Sequence, residues 1–341
     1  MKLKTEKINP QGGYLMTSRS IIKSLAAGLA LAALTATGAL AQELTLKLGH
    51  LANEQNSWHK ASVKFGEELS ALTDGRIAVE VFPNDSLGRE MDLINGMQLG
   101  TIEMTITGES LQNWAPMAAL LAVPYAYTSL EQMDGVASGE IGDQIEAQII
   151  ERAQVRPIAY FARGPRNLTS NRPIASPSEL NGFRMRVPNV PLFVDTWSAL
   201  GASPTPMAFS EVFTSLQNGT IEGQENPLAL IQSASFNEVQ SHVNLTEHVR
   251  SWIYLTISEQ IWGQLSEEDR EHVLEAGRRA QEFEREQFLS DEKAIRDDLE
   301  SKGMTFVEVD TAAFATAARD AVINSVDESI RPIVEDLFSQ Q

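Results

Sequence analysis

The sequence predicts an α/β protein of two lobes. Three observations carry that expectation: strand-like and helix-like segments alternate along the chain, about 300 residues follow an export-type leader, and one periodic stretch near the C-terminus is too long for a single small domain. Alternation of this kind implies mostly parallel strands with helices on both faces, and 300 residues suit about two domains.

The leader comes first. Arg19 and Lys23 precede an apolar run from Leu25 to Leu40 that ends in Ala39-Leu40-Ala41. A basic start, a short apolar core and an A-x-A ending read as a secretory signal cleaved after Ala41. The run is short for a bilayer and holds Thr35 and Thr37, which argues against a permanent anchor.

Leu44–Leu48 alternates as a half-buried strand running into Gly49, and a helical stretch from about Ser57 to Leu72 ends at Asp74-Gly75. Ile77–Phe82 is a second strand, stopped by Pro83. Residues 90–99 form a helix, and Met104–Thr107 a third strand. A second α/β region follows. Val155–Phe161 and Phe183–Val187 are strands; in the latter Phe183, Met185 and Val187 share one face, and Arg184 and Arg186 the other. Residues 191–200 and 209–217 are helical, the second capped by Ser210. The long segment opens at Ser266 with three acidic residues in its first turn and closes at Lys302-Gly303. As one helix it would span roughly 55 Å and brace both lobes, although a break near Leu289-Ser290 is equally allowed.

Composition narrows the chemistry. There are no cysteines, which excludes thiol catalysis and thiolate metal sites. The formal net charge is −19; residues 1–41 carry five basic residues and Glu6, a net of +4, so the exported chain is near −23. Such a surface repels nucleic acid and anionic lipid, and an anionic ligand would need a local positive spot. The five histidines lack a zinc-site spacing. No G-x-S-x-G, Gly-Lys or G-x-G-x-x-G is present, so no cofactor or metal is implied. Many carboxylates could form a glycosidase pair, but no spacing selects one. Arg163-Gly-Pro-Arg166 and Arg186 stand at strand ends, where α/β folds bind ligands. A guanidinium there can fork a carboxylate, or can simply serve as surface charge.

Motifs between residues 160 and 230 go further. Arg-Met-Arg-Val-Pro-Asn (184–189), the segment from Leu200 to Gly219 and Ile-Glu-Gly-Gln-Glu-Asn-Pro (221–227) resemble the substrate-binding subunits of tripartite ATP-independent periplasmic (TRAP) transporters, the dicarboxylate/sialic-acid receptor family. Phe82–Glu90, Val123-Pro-Tyr125 and Arg166–Asn171 resemble other segments of that family, so the likeness covers nearly all of the chain after the leader.

The resemblance implies a monomeric periplasmic receptor, not an enzyme. It would close around a small organic acid and deliver it to a small and a large membrane subunit. It implies that Arg186 pairs with the ligand carboxylate, that Asn226 also reaches it, and that Arg166 supports or duplicates Arg186. Phe209 would pack on the ligand, with Asn189 beside Arg186, and Glu90 would accept ligand hydroxyls. The chain departs from the sialic-acid receptors at His50-Leu51, and at Gly108 or, with a one-residue slip, Glu109. His50 and Glu109 are therefore candidate lining residues, and a uronate or aldonate is expected rather than sialic acid. A C4-dicarboxylate would use Arg166 for its second carboxylate. An exported enzyme acting on uronates is the alternative from a different class. The lobes are expected to comprise 42–164 with about 252–290, and 165–251 with about 291–341.

Overall fold

The computed structural model describes residues 44–340. The leader expected over 1–41 lies outside the described residues.

The elements are β1 (Leu44–Gly49), α1 (Ser57–Leu72), β2 (Ile77–Phe82), α2 (Glu90–Gln98), β3 (Met104–Thr107), α3 (Leu130–Ala137), α4 (Glu140–Gln148), β4 (Val155–Ala162), β5 (Arg166–Ser170), β6 (Arg184–Val187), α5 (Pro191–Ala199), β7 (Ser203–Pro206), α6 (Val212–Gln217), β8 (Gly223–Pro227), α7 (Leu228–Ser233), β9 (His242–Val249), β10 (Trp252–Ser258), α8 (Glu259–Gln264), α9 (Glu267–Ser301), β11 (Thr305–Val307), α10 (Thr311–Ser325) and α11 (Arg331–Ser339). Short 3-10 turns link several of them.

Two sheets form two lobes. The first has strand order β2-β1-β3-β10-β4, the second β11-β9-β5-β8-β6-β7. Parallel pairing holds in β1–β2, β1–β3, β6–β7, β6–β8 and β9–β11, as expected for strands separated by helices. The sheets are nevertheless mixed, because β10 runs antiparallel to β3 and β4, and β5 runs antiparallel to β8 and β9. The cause lies in two short crossings. Arg163-Gly164-Pro165 carries the chain from β4 in the first sheet to β5 in the second, and Arg250-Ser251 returns it from β9 to β10. Neither crossing has room for a helix.

Local chemistry accounts for the main elements. Leu46 and Leu48 of β1 are buried while Thr45 and Lys47 point outward. Asn56 caps α1 by accepting from the Trp58 N–H at 3.0 Å, and Trp58, Ala61, Phe65 and Leu69 form its buried stripe. Residues 209–217 do not form one helix capped by Ser210. A 3-10 turn over Phe209–Glu211 precedes α6, and Ser210 is instead hydrogen-bonded to Asp85 of the first lobe.

The long segment is one uninterrupted helix, α9, of 35 residues and hence about 52 Å. The Ser266 hydroxyl accepts from the Asp269 N–H at 3.0 Å. At the other end Gly303, with φ +96°, donates to Glu300 and Met304 donates to Leu299, which closes the helix with a Schellman motif. Gly277 lets the helix approach β4, since a Cβ there would stand 2.8 Å from the Ile158 carbonyl oxygen. The helix packs on α1 and β4 of the first lobe and on α7 of the second, and so braces both.

Candidate functional site

Between the two sheets lies a cavity of about 320 Å³. The first lobe contributes Leu51, Trp58, Asp85, Glu90, Thr107, Glu109 and Arg163. The second contributes Arg166, Arg186, Asn189, Met207, Phe209 and Asn226. A cleft of this size suits a small metabolite.

Arg186 is the third residue of β6, on the face opposite Met185 and Val187. It is 4 % exposed. Its Nε and Nη2 both donate to the Met207 carbonyl, at 2.9 and 2.8 Å, and its guanidinium lies 5.9 Å from the centre of the Phe209 ring. Among the described residues no carboxylate forms an ion pair with it. Burial pulls its pKa down to about 10, which still leaves it charged at neutral pH. A buried cation without a counter-ion is costly unless something neutralises it.

Arg166 is held differently. Its Nε and Nη2 fork the Glu225 carboxylate at 2.5 and 2.8 Å. Nη2 also donates to Asn226 Oδ1 at 3.2 Å, and Nη1 to Glu109 at 3.3 Å. The antiparallel β5–β8 register, with Asn167 opposite Asn226, brings these side chains together. Burial would raise the Glu225 pKa, but Arg166, with the His248 hydrogen bond, overrides it and holds the group at about 2. Arg166 therefore enters the cavity wall already neutralised. It positions Asn226 and Glu225 and has no free fork for a ligand carboxylate.

Arg163, just past β4, donates to Glu109 Oε2 and to Ser251 Oγ, each at 2.5 Å. Its buried Nε has no partner among the described residues. Glu109 thus bridges Arg163 and Arg166. Burial pushes this carboxyl up, and the two guanidiniums outweigh that and hold it below the usual range.

The opposite wall is acidic. Glu90 is the first residue of α2 and accepts from Thr107 Oγ1 at 2.7 Å. Burial, then the neighbouring Glu109 charge, push it up to about 7. Asp85 sits in a left-handed turn at φ +54° with Oδ1 buried and unpartnered, and burial raises its pKa. At the mouth, Arg89 of the first lobe meets Glu211 of the second at 2.5 Å, and Asn113 Nδ2 donates to the Asn189 carbonyl at 2.9 Å.

The structure brings Arg186, Asn226, Arg166, Phe209, Glu90, Asn189 and Glu109 to one cavity. It does not bring His50. That ring is 1 % exposed, its Nε2 lies 3.3 Å from His59 Nδ1, and Leu51 beside it lines the cavity instead. Burial, then His59, lower its pKa to about 3, so it stays neutral. Both residues follow the end of β1, where the chain turns; there the His50 ring packs against His59 of α1 and Leu51 lines the cavity. The sequence does not single out Trp58, Asp85, Thr107 or Met207 as lining residues, and it marks Arg163 only as a strand-end guanidinium in the same Arg-Gly-Pro-Arg run as Arg166.

A larger cavity, about 880 Å³, lies between α1, α7 and α9. Its Lys293, Arg296 and Lys302 are each paired within α9, to Asp297, Glu300 and Asp298. It offers no buried unpaired charge comparable to Arg186. Among the described residues no three His, Asp or Glu side chains converge to hold a metal ion, and no helix is long and apolar enough to cross a membrane.

Residues 48–331 match the family of bacterial extracellular solute-binding proteins, family 7 (DctP). The chain belongs to this family. A solute-binding protein of Roseobacter denitrificans is 75 % identical over 319 residues, covering 94 % of this chain and 98 % of that protein. The crystal structure of a TRAP periplasmic solute-binding protein from Roseobacter denitrificans with bound L-galactonate superposes with TM-score 0.86 at 77 % identity, covering 87 % of this chain and 99 % of that one. The 2,3-diketo-L-gulonate-binding periplasmic protein of Escherichia coli is 30 % identical over 316 residues, covering 90 % of this chain and 96 % of that protein. As a family 7 protein the chain has the two-lobed solute-receptor fold, and its family is periplasmic.

Proposed function

We propose that the chain is a TRAP-transporter receptor that captures a hydroxylated sugar acid, an aldonate such as L-galactonate, in the cavity between its lobes. One observation carries this reading: Arg186 is a buried guanidinium with no carboxylate partner among the described residues, in a cavity whose other three arginines, Arg89, Arg163 and Arg166, are already paired. A ligand carboxylate beside Arg186 supplies the missing charge, and excluded water strengthens the contact. The bound L-galactonate of the Roseobacter denitrificans relative supports the aldonate class.

Asn226 and Asn189 would complete the carboxylate's surroundings, Phe209 would cover the sugar carbons, and Asp85 and Glu90 would accept hydroxyl protons. The first lobe would comprise 42–164 with about 252–290 and the second the remainder, rotating about the crossings at 163–165 and 250–251. Export would remove residues 1–41, and the loaded receptor would pass its ligand to two membrane subunits. Mass measurement of the periplasmic form tests the cleavage.

The test of binding is calorimetry with L-galactonate, D-galacturonate, succinate and sialic acid. L-galactonate is expected to bind most tightly, and Arg186→Ala to abolish binding. Wild-type affinity in that variant would remove Arg186 from the site.

One observation favours the enzyme reading as a second choice. Glu90 and Glu109 share the cavity with pKa values pushed in opposite directions, the pattern of an acid–base pair. Glu109 is however held by two arginines, which leaves it a poor base. Turnover of L-galactonate or D-galacturonate followed by NMR distinguishes the two readings.

A further inference from the structure

The charged groups lining the cavity do not cancel. Arg163 is matched by Glu109, Arg166 by Glu225, and, at the mouth, Arg89 by Glu211. What remains on the second lobe is one cation, Arg186. What remains on the first lobe is three carboxyls, Glu90, Asp85 and the exposed Asp92, none in an ion pair among the described residues; Glu90 and Asp85 are the two withdrawn from solvent. Asp85 presents a buried oxygen with no donor, and Glu90 has only hydroxyl partners, Thr107 and Ser110.

We propose that Glu90 and Asp85 act as a filter that restricts the site to acids with a single carboxylate. This rests on the receptor reading above and says how the site would exclude diacids of the same size. A ligand's first carboxylate neutralises Arg186. Its far end then meets two acceptors and no spare cation. A hydroxyl there donates and satisfies an oxygen that is otherwise unpaired. A second carboxylate has no proton to give, finds no free guanidinium because Arg166 is committed to Glu225, and is repelled by both carboxyls. Size does not make this distinction, because oxidising a terminal CH2OH to a carboxylate scarcely changes the molecule's volume.

The protonation of Glu90 adds a pH dependence. The groups around it are Thr107 on β3, Glu109 and Ser110 on the turn that follows, Asp85 on the turn before α2, and Arg186 and Arg166 across the cavity. Burial first, then the Glu109 charge, place its titration at about 7. Below that pH Glu90 becomes a donor, so the barrier to a second carboxylate falls.

The experiment compares L-galactonate with galactarate, its C6-oxidised diacid, by calorimetry on the full exported chain. Wild type is expected to favour L-galactonate by about 100-fold, the scale of one uncompensated like-charge contact. Glu90→Gln and Asp85→Asn are each expected to strengthen galactarate binding about tenfold or more. With the unmodified protein, galactarate should bind more tightly at about pH 5.5 than at about pH 8.5, which tests the filter without relying on either variant's folding. Equal affinity of wild type for the two acids overturns the filter alone. So does galactarate binding that neither the variants nor lower pH improves. Failure to bind either acid overturns the sugar-acid receptor reading, and the filter with it.

Discussion

Arg186 and Arg166 have the same side chain, lie in the same lobe, and are both buried, yet their surroundings give them different tasks. Arg186 keeps two donors on the Met207 carbonyl and has no counter-ion among the described residues, so its loss should remove ligand affinity and leave the fold largely intact. Arg186→Lys is expected to weaken L-galactonate binding by about 100-fold or more in calorimetry, because an ammonium cannot fork a carboxylate. Arg166 is the reverse case. Removing it leaves Glu225 and Glu109 buried without their shared partner, so Arg166→Ala should cost about 3–5 kcal/mol of stability in denaturant unfolding, whether or not ligand is present. If instead Arg166→Ala left stability unchanged, the paired-charge account of this wall would be wrong.

At the scale of elements, α9 is the member to probe. Glu284 on this helix is buried and accepts from Ser57 Oγ at 3.0 Å and from the Ala162 N–H at 3.2 Å, tying α9 to the start of α1 and the end of β4. Burial pushes its pKa up to about 7, so the folded state favours the protonated carboxyl. Its stabilisation is complete below the ordinary carboxylate range and is lost as pH rises through about 7, an effect of roughly 3 kcal/mol. Glu284→Gln should therefore flatten the fall in stability between about pH 5 and about pH 8, measured by urea unfolding at each pH. An unchanged slope would assign that pH dependence elsewhere. The N-cap offers a simpler check: Ser266→Ala should cost about 1 kcal/mol, read from the same unfolding curves.

For the whole molecule, the relevant quantities are charge and closure. Residues 42–341 carry a net charge near −23, while the cavity keeps a single cation without an ion pair among the described residues. The Arg89–Glu211 pair spans the mouth between lobes, with both side chains about half exposed. Such a pair contributes at most about 1 kcal/mol and is screened by salt. Arg89→Ala should thus speed ligand release by no more than about fivefold in stopped-flow, with the difference shrinking at high salt. A much larger effect would mean that Arg89 touches the ligand itself.

The amino-acid order alone determined the alternating α/β elements, the exposed and buried faces of β1, the alternation of Arg186 against Met185 and Val187 in β6, the long C-terminal helix and the strand-end arginines. These are local properties, set by periodicity, capping residues and turn residues within a few positions of each other. The resemblance to the receptor family added the roles expected of Arg186, Asn226 and Glu90. Other features depend on residues far apart in the chain. Whether Arg166 is free or paired is decided by Glu225 and Glu109, which come from different lobes. Whether His50 or Leu51 lines the cavity depends on the turn after β1 and on His59 of α1, against which the His50 ring packs. The antiparallel strands β10 and β5 follow from crossings too short to hold a helix, and the sequence shows no sign of which sheet each strand joins. Only the tertiary structure decided which guanidinium was left without a carboxylate among the described residues, because burial and pairing are properties of the assembled cavity and not of any segment within it.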